Sequence, residues 1–260
     1  MIANVKDLFD LSGRVALITG AGSGLGQGIA EGYAQMGAAV SVVDVNSEAA
    51  QSVADGINAA DGQAIPVPCD VIQKDQVEAA VARTLREFGK IDILVANAGI
   101  GDRALAEEMT FEQWDRVMAI NLTGVWLFDQ AVGKHMVERG QGGRIINMSS
   151  IGGIIGVETG NANYCASKGG IIAMTRCLAI EWAKHNILVN AIAPTHSRTP
   201  LIEKLMQDKP EVRTYFLGNI PLGRLGEVVD VVGPAIFLAS DAAAFVTGHV
   251  LVADGGHTAK

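Results

Sequence analysis

Short runs of β-branched and aliphatic residues alternate with longer stretches of helical period along the whole chain, and this alternation constrains the fold more than any other feature. A continuous apolar run needs burial on both faces, which a strand finds in a parallel sheet covered on both sides by its crossover helices. Runs at Arg14–Thr19, Ala39–Val43, Ile91–Val95, Arg144–Met148, Ile187–Ile192 and Val250–Val252, with a weaker one at Ala64–Val67, predict about seven strands. Helical patterns at about 24–36, 47–60, 74–88, 111–138, 164–184 and 226–239 fall between them. The expected fold class is α/β, doubly wound around a roughly seven-stranded parallel sheet. No linker, repeat or low-complexity tract interrupts the pattern, so residues 1–260 are expected to form a single domain.

Glycine makes up 31 of the 260 residues and gathers where predicted strands meet predicted helices. The first such junction reads Thr19-Gly20-Ala21-Gly22-Ser23-Gly24-Leu25-Gly26. Backbone N–H groups at a helix start carry the positive end of the helix dipole, and missing side chains let a pyrophosphate approach them. Gly20, Ser23, Gly24, Leu25 and Gly26 are therefore candidates for a dinucleotide cradle. The second predicted strand runs into Asp44, about 20 residues further on, where a carboxylate accepts hydrogen bonds from the hydroxyls of an adenosine ribose. The same carboxylate repels a 2′-phosphate, and no Arg or Lys lies between Thr19 and Asp44 to offset it. NAD is expected in preference to NADP.

Charge excludes other classes. Lys and Arg number 20 against 28 Asp and Glu, a net −8, the opposite of the basic footprint that binds a phosphate backbone. No nucleic-acid partner is expected. Apolar stretches such as Val228–Leu238 are interrupted, there by Asp230 and Pro234, and fall short of the ~20 residues that span a bilayer. The first residues lack a basic region followed by an apolar block, so a cytoplasmic protein with reduced thiols is expected. Cys69, Cys165 and Cys177 read as buried small hydrophobes. His135, His185, His249 and His257 show no ligand spacing with carboxylates, and no metal site is expected.

Tyr164 and Lys168 open a long helical segment. Four residues apart, they share one helix face a turn apart, so phenol and ammonium meet. A tyrosine ordinarily titrates near pH 10, and lowering that to about neutral takes roughly 4 kcal/mol, which a close ammonium in a low-dielectric cleft can supply. Tyr164 is then a candidate to exchange a proton with a substrate oxygen. The same spacing also occurs in ordinary surface pairs, so the decision rests on what accompanies it.

Cys69-Asp70-Val71, Asn97-Ala98-Gly99, Asn121, Ile146-Asn147-Met148-Ser149-Ser150 and Asn190-Ala-Ile-Ala-Pro194 accompany it, and together the chain resembles the short-chain dehydrogenases/reductases from about Leu11 to Gly256. The resemblance implies a Rossmann fold and hydride transfer between a nicotinamide dinucleotide and a secondary alcohol or ketone. It implies that Ser150 hydrogen-bonds the reacting oxygen, that Tyr164 is the acid/base, that Lys168 holds the nicotinamide ribose and tunes Tyr164, and that Asn121 fixes a water in a proton relay. It further implies that Asp70 and Val71 flank the adenine, that Asn97, Ala98 and Gly99 offer backbone to the ribose side, and that Pro194, Ser197 and Thr199 lie at the nicotinamide end. Family members commonly form homotetramers through the helices near 111–138 and 164–184. Trp126, Leu127, Phe128, Ile171, Ile172 and Met174 make those helices apolar enough for an interface or for burial within the subunit.

The chain departs from the family pattern at Thr195, where glycine usually follows the proline, and at Ser197, where Ile or Val usually contacts the nicotinamide amide. Ser150 and Tyr164 lie 14 apart, one more than in many relatives, and Ser149 competes for the serine role because strand alternation turns the two serines opposite ways. Loops 100–106 and 151–163 and a lid at about 195–221 are expected to form the substrate side. Ser150, Glu158, Asn161, Tyr164 and His196 are the candidate substrate contacts, with Asn163 beside them. Such polar groups favour a polyol, sugar or sugar acid, because an apolar substrate would leave them unpaired at about 1–3 kcal/mol each. Asp7-Leu-Phe-Asp-Leu-Ser-Gly-Arg14 near the start, and Pro221-Leu-Gly-Arg-Leu-Gly-Glu227 and Val246-Thr-Gly-His-Val-Leu-Val-Ala-Asp-Gly-Gly256 near the end, are likewise similar to the polyol and sugar-acid dehydrogenases of the family, gluconate 5-dehydrogenases among them. Two alternatives share parts of the pattern: a 3-oxoacyl-[acyl-carrier-protein] reductase has the same skeleton, and a non-catalytic dinucleotide-binding protein would keep the cradle alone.

Overall fold

The structure, a computed structural model, describes residues 4–157, 160–198, 202–203, 206–207 and 210–259. Seven strands, β1 (Val15–Thr19), β2 (Ala39–Asp44), β3 (Gln63–Pro68), β4 (Ile93–Ala96), β5 (Gly143–Met148), β6 (Ile187–Pro194) and β7 (Val250–Ala253), form one sheet in the order β3-β2-β1-β4-β5-β6-β7. Every neighbouring pair is parallel. The expected sheet is therefore present. All residues of β1, β4, β5 and β6 are buried, as their unbroken apolar runs require. Edge strand β3 carries Pro66 and Pro68, tolerable where the missing N–H faces no partner strand.

Helices α1 (Gly24–Gln35), α2 (Ser47–Ala59), α3 (Lys74–Phe88), α4 (Phe111–Met118), α5 (Gly124–Arg139), α6 (Ala162–Trp182), α7 (Pro210–Asn219) and α8 (Val229–Ala239) connect or cover the strands. Strand alternation sends Ile18 of β1 into a core with Ile29, Tyr33 and Leu238 on the α1–α2–α8 side. It sends Leu17 into a second core with Phe128 and Ile171 on the α3–α5–α6 side. The Tyr33 hydroxyl donates to the Ala235 carbonyl at 2.8 Å, tying α1 to α8.

The structure corrects two expectations. The single helix expected over 111–138 is broken: a π-helical turn, Ala119–Thr123, separates α4 from α5. Cys69 is buried, but Cys165 is half-buried and Cys177 is exposed on α6, so burial does not describe all three cysteines. The expected lid region holds α7, whose Phe216 is fully buried with Ile220 and Leu225 in a small core of its own. Strand order reverses between β1 and β4, and the crevice at the carboxyl ends of these two strands is where an open α/β sheet binds its ligand.

Candidate active site

A cavity of about 740 Å³ opens at that crevice. Its wall includes Gly20, Ser23, Gly24, Leu25, Asp44, Asp70, Val71, Asn97, Ala98, Gly99, Ser150, Asn161, Tyr164, Lys168, Pro194, His196 and Ser197. Glu158 and Thr199, also expected here, lie outside the described residues. The size suits an organic cofactor together with a small substrate.

The cradle is built around two glycines. Gly20 takes φ +61°, and a side chain on it would press on the Ala98 backbone, so the loop after β1 lies directly on the loop after β4. Gly26 does not line the cavity as expected; a Cβ there would collide with the Gly20 carbonyl and the Asn97 amide, so its place is to let α1 pack under the loop. Asn97 does more than offer backbone. Its Nδ2 donates to the Thr19 and Gly20 carbonyls at 3.0 and 3.1 Å, while Thr19 Oγ1 accepts from the Asn97 and Ala98 N–H groups. Ser23 is the N-cap of α1 but its side chain caps no N–H, and the first turn carries no acidic residue. The uncapped, uncrowded helix start fits a pyrophosphate. Asp44 closes the far side: Oδ2 accepts from Gly22 N–H and Oδ1 from Asn46 N–H, each at 2.9 Å.

Tyr164 and Lys168 stand in the first turns of α6, and Asn163 sets that start. The buried Asn163 Nδ2 donates to the carbonyls of Asp102 and Gln113, and its Oδ1 accepts from Tyr164 N–H at 2.7 Å. Asn163 thus braces the 100–106 loop and α4 against the helix, rather than reaching into the cavity. Lys168 Nζ donates to the Met148 carbonyl at 2.7 Å and lies 5.7 Å from the centre of the Tyr164 ring. Burial pushes the Lys168 ammonium down to about 8, because a charge removed from water is destabilised. Ser149 Oγ donates to the Lys168 carbonyl at 2.9 Å, which commits that hydroxyl to anchoring α6. Ser150 Oγ accepts from Gly152 N–H at 3.1 Å and keeps its proton to donate, which favours Ser150 over Ser149 at the reacting oxygen.

Asn121 sits fully buried in the π-helical turn. Its Oδ1 accepts from Ile100 N–H at 2.8 Å and its Nδ2 donates to the Ile100 carbonyl at 2.9 Å, so the side chain brackets the loop after β4 and does not line the cavity. π-turns inside helices gather at functional sites because the shifted ladder frees backbone groups. His196 lines the cavity and stacks on Phe216 of α7, with ring centres 3.6 Å apart and planes 16° from parallel. Among the described residues no cluster of three His, Cys, Asp or Glu could hold a metal ion, and no helix is long and apolar enough to cross a membrane.

A family model described as enoyl-(acyl carrier protein) reductase matches residues 20–258. D-threitol dehydrogenase of Mycolicibacterium smegmatis is 43% identical over 252 residues, covering 97% of this chain and 95% of the relative. The 3-oxoacyl-[acyl-carrier-protein] reductase FabG of Thermotoga maritima is 42% identical over 246 residues, covering 95% and 98%. The crystal structure of a short-chain type dehydrogenase/reductase from Mycobacterium marinum has a TM-score of 0.94 at 40% identity, covering 99% of this chain and 100% of that one. The chain belongs to the short-chain dehydrogenase/reductase family. A gluconate 5-dehydrogenase from Burkholderia cenocepacia, crystallised with NADP and tartrate, also has a TM-score of 0.94, at 37% identity and with 99% and 100% of the two chains covered. This short-chain dehydrogenase/reductase is an oxidoreductase with a Rossmann fold that acts on alcohol groups and uses a nicotinamide dinucleotide.

Proposed function

We propose that this enzyme oxidises a secondary alcohol of a polyol, sugar or sugar acid, and reduces the matching ketone, with NAD rather than NADP. The observation that carries the reading is that Ser150, Tyr164 and Lys168 share one cavity with the glycine cradle and with Asp44. NAD bound there supplies the hydride acceptor. Gly20, Ser23, Gly24 and Leu25 hold the pyrophosphate, Asp44 the adenosine ribose, Asp70 and Val71 the adenine, Asn97, Ala98 and Gly99 the ribose side, and Pro194 and Ser197 the nicotinamide end. Ser150 donates a hydrogen bond to the substrate oxygen. Tyr164 takes the hydroxyl proton during oxidation and returns it during reduction. Lys168, fixed by the Met148 carbonyl, holds the nicotinamide ribose and favours the tyrosinate. Asn121 holds the loop after β4 in place and supports a water on the proton's way out.

Asn161 and His196 on the cavity wall, and the likeness to a D-threitol dehydrogenase and a gluconate 5-dehydrogenase, support a hydroxyl-rich substrate. The test is a screen of polyols, sugar acids, simple secondary alcohols and 3-oxoacyl thioesters, each with NAD and with NADP. The highest kcat/KM is expected for a polyol or sugar acid with NAD. A clear preference for the 3-oxoacyl thioester would transfer the enzyme to fatty-acid chemistry, the likeness to FabG being the reason to include it.

Cofactor choice has its own variant. Val45 is exposed and lines the cavity beside Asp44, so Asp44→Ala with Val45→Arg removes a repelling carboxylate and adds a cation where a 2′-phosphate would sit. The wild type is expected to favour NAD by about tenfold or more in kcat/KM, and the double variant to reverse the order. Equal use of both cofactors by the wild type would sink the assignment to Asp44.

Lys168→Met keeps length and removes the charge. Single-turnover oxidation in the wild type is expected to rise with pH, and reduction to fall over the same interval, as the Tyr164–Lys168 pair loses protons. Lys168 itself titrates near pH 8, so both groups shape this profile. In Lys168→Met the oxidation limb moves to higher pH and NADH affinity drops. An unmoved limb shows that Lys168 does not tune the tyrosine. The reading extends to a homotetramer: Phe111, Trp114, Trp126 and Ile180 on α4, α5 and α6 stay exposed, and sedimentation of the purified protein tests it.

A further inference from the structure

We propose that His257, outside the cavity wall, is a positioning residue for the substrate, acting through Thr195 on His196. The proposal rests on the reading of the cavity as an alcohol site. The chain leaves β6 at Pro194 and must turn at once toward the lid. Thr195 Oγ1 lies 3.0 Å from His257 Nδ1, one donating and the other accepting according to the imidazole tautomer. Ser197 Oγ donates back to the Thr195 carbonyl at 3.2 Å. Gly226 N–H then donates to the His196 carbonyl at 3.0 Å, and Arg198 N–H to the Gly226 carbonyl at 2.7 Å. His196 is therefore held between a side-chain anchor on one side and a backbone clasp on the other, and its ring lies flat on the buried Phe216.

The anchor is itself hydrogen-bonded in place. His257 stands in a short 3-10 turn after β7, and Asp254 organises that turn by accepting from Gly256 N–H at 2.9 Å and from both Thr258 N–H and Thr258 Oγ1 at 2.7 Å. The Gly255 carbonyl accepts from Leu222 N–H at 3.1 Å, which links the same turn to the segment after α7. Glycine at position 195 would have no hydroxyl for His257. The two departures from the family pattern, Thr195 and Ser197, thus become one linked device: they convert a permissive turn into a braced one, with the imidazole of His196 fixed on the cavity wall. Fixing a polar ring in advance lowers the ordering cost of a hydroxyl-rich substrate and leaves the remote cradle untouched.

The experiment is a double-mutant cycle on the intact enzyme, with whichever secondary alcohol the wild type turns over best. His257→Ala is expected to raise KM for the alcohol by about 3- to 10-fold, the worth of one hydrogen bond, with kcat and the Kd for NADH within about twofold of wild type. His257→Asn, whose amide can still reach Thr195, recovers most of the loss. Thr195→Val raises KM by a similar factor, and Thr195→Val with His257→Ala is no worse than either alone. An unchanged KM in His257→Ala, independent effects that multiply in the double variant, or a loss of NADH affinity in proportion to KM would each overturn the proposal. Because the cycle uses the preferred alcohol whatever its class, a failed polyol assignment leaves it readable.

Discussion

Tyr164→Phe is expected to lower turnover by about 10²-fold or more while NADH still binds within a few-fold of wild type. The two readouts part because the substitution removes one oxygen and leaves the supports of that oxygen standing. Asn163 Oδ1 still accepts from the N–H of residue 164, so α6 starts where it did. Lys168 keeps its hydrogen bond to the Met148 carbonyl, and with it the proposed contact to the cofactor's ribose. Ser150 can still donate to the substrate oxygen, but an aliphatic hydroxyl is too weak an acid to hold the negative charge left when it gives up its proton near neutral pH. The remaining rate measures positioning without acid/base help. Fluorescence titration with NADH and single-turnover oxidation on the same preparation check both halves. A variant that keeps its rate places the acid/base elsewhere; one that loses NADH as well shows that the hydroxyl is part of the binding site.

The sheet was legible because its signal is local. An unbroken apolar run such as Ile187–Ile192 can be satisfied only by burial on both faces, and β6 is buried along its full length. The break between α4 and α5 was not legible: the π-turn changes which N–H meets which carbonyl, while the apolar period on either side stays helical, and no Pro stands in 119–123 to mark it. Cys177 escaped for a related reason. An apolar helix such as α6 offers no periodicity from which to read which face turns outward.

The site divides in the same way. Gly20, Ser23, Gly24 and Leu25 of the glycine motif line the cavity, whereas Gly26 packs beneath the loop. Asn97 and Asn161 line the cavity while Asn121 and Asn163 do not, and what each amide does is defined by the partners it meets. Asn163 meets the carbonyls of Asp102 and Gln113, Asn97 meets those of Thr19 and Gly20, and Asn121 meets both backbone groups of Ile100. These contacts lie 21 to 78 residues apart for Asn121 and Asn97 and 50 to 61 apart for Asn163, beyond any local pattern. Ser149 and Ser150 were separated only by the Lys168 carbonyl that engages the first of them.

Asp129→Asn is expected to stabilise the protein, by an amount that grows as pH rises from 4 toward 8. Asp129 on α5 is fully buried beside β5 and α6. Its Oδ2 accepts from Asn147 Nδ2 at 3.0 Å, and the same Nδ2 reaches Thr175 Oγ1 at 3.2 Å. Asp129 Oδ1 and Asn147 Oδ1 are left as buried acceptors without a donor among the described residues. Burial pushes the carboxyl up from 3.8 to about 8, against the opposing pull of the Asn147 hydrogen bond. In the unfolded chain the carboxyl ionises near its ordinary value, so between pH 4 and 8 the native state holds a proton that the unfolded state has released. Stability therefore falls as pH rises through this window and levels off above it. At pH 7 the penalty is at most on the order of 4 kcal/mol, from about 3 units at 1.36 kcal/mol each. Asparagine has the same shape, stays neutral at every pH, and brings an N–H that can be offered to an amide oxygen. Urea unfolding of both proteins at pH 5, 7 and 8.5 measures the difference, which should widen with pH; a constant difference would mean that Asp129 does not titrate in this interval. The consequence reaches the active site. Alcohol oxidation releases a proton and gains from alkaline conditions, yet Asn147 directly precedes Met148, whose carbonyl holds Lys168. Ionising Asp129 weakens β5 at that point in the pH range where oxidation is most favoured, so the asparagine variant is expected to retain activity longer at pH 9 than the wild type.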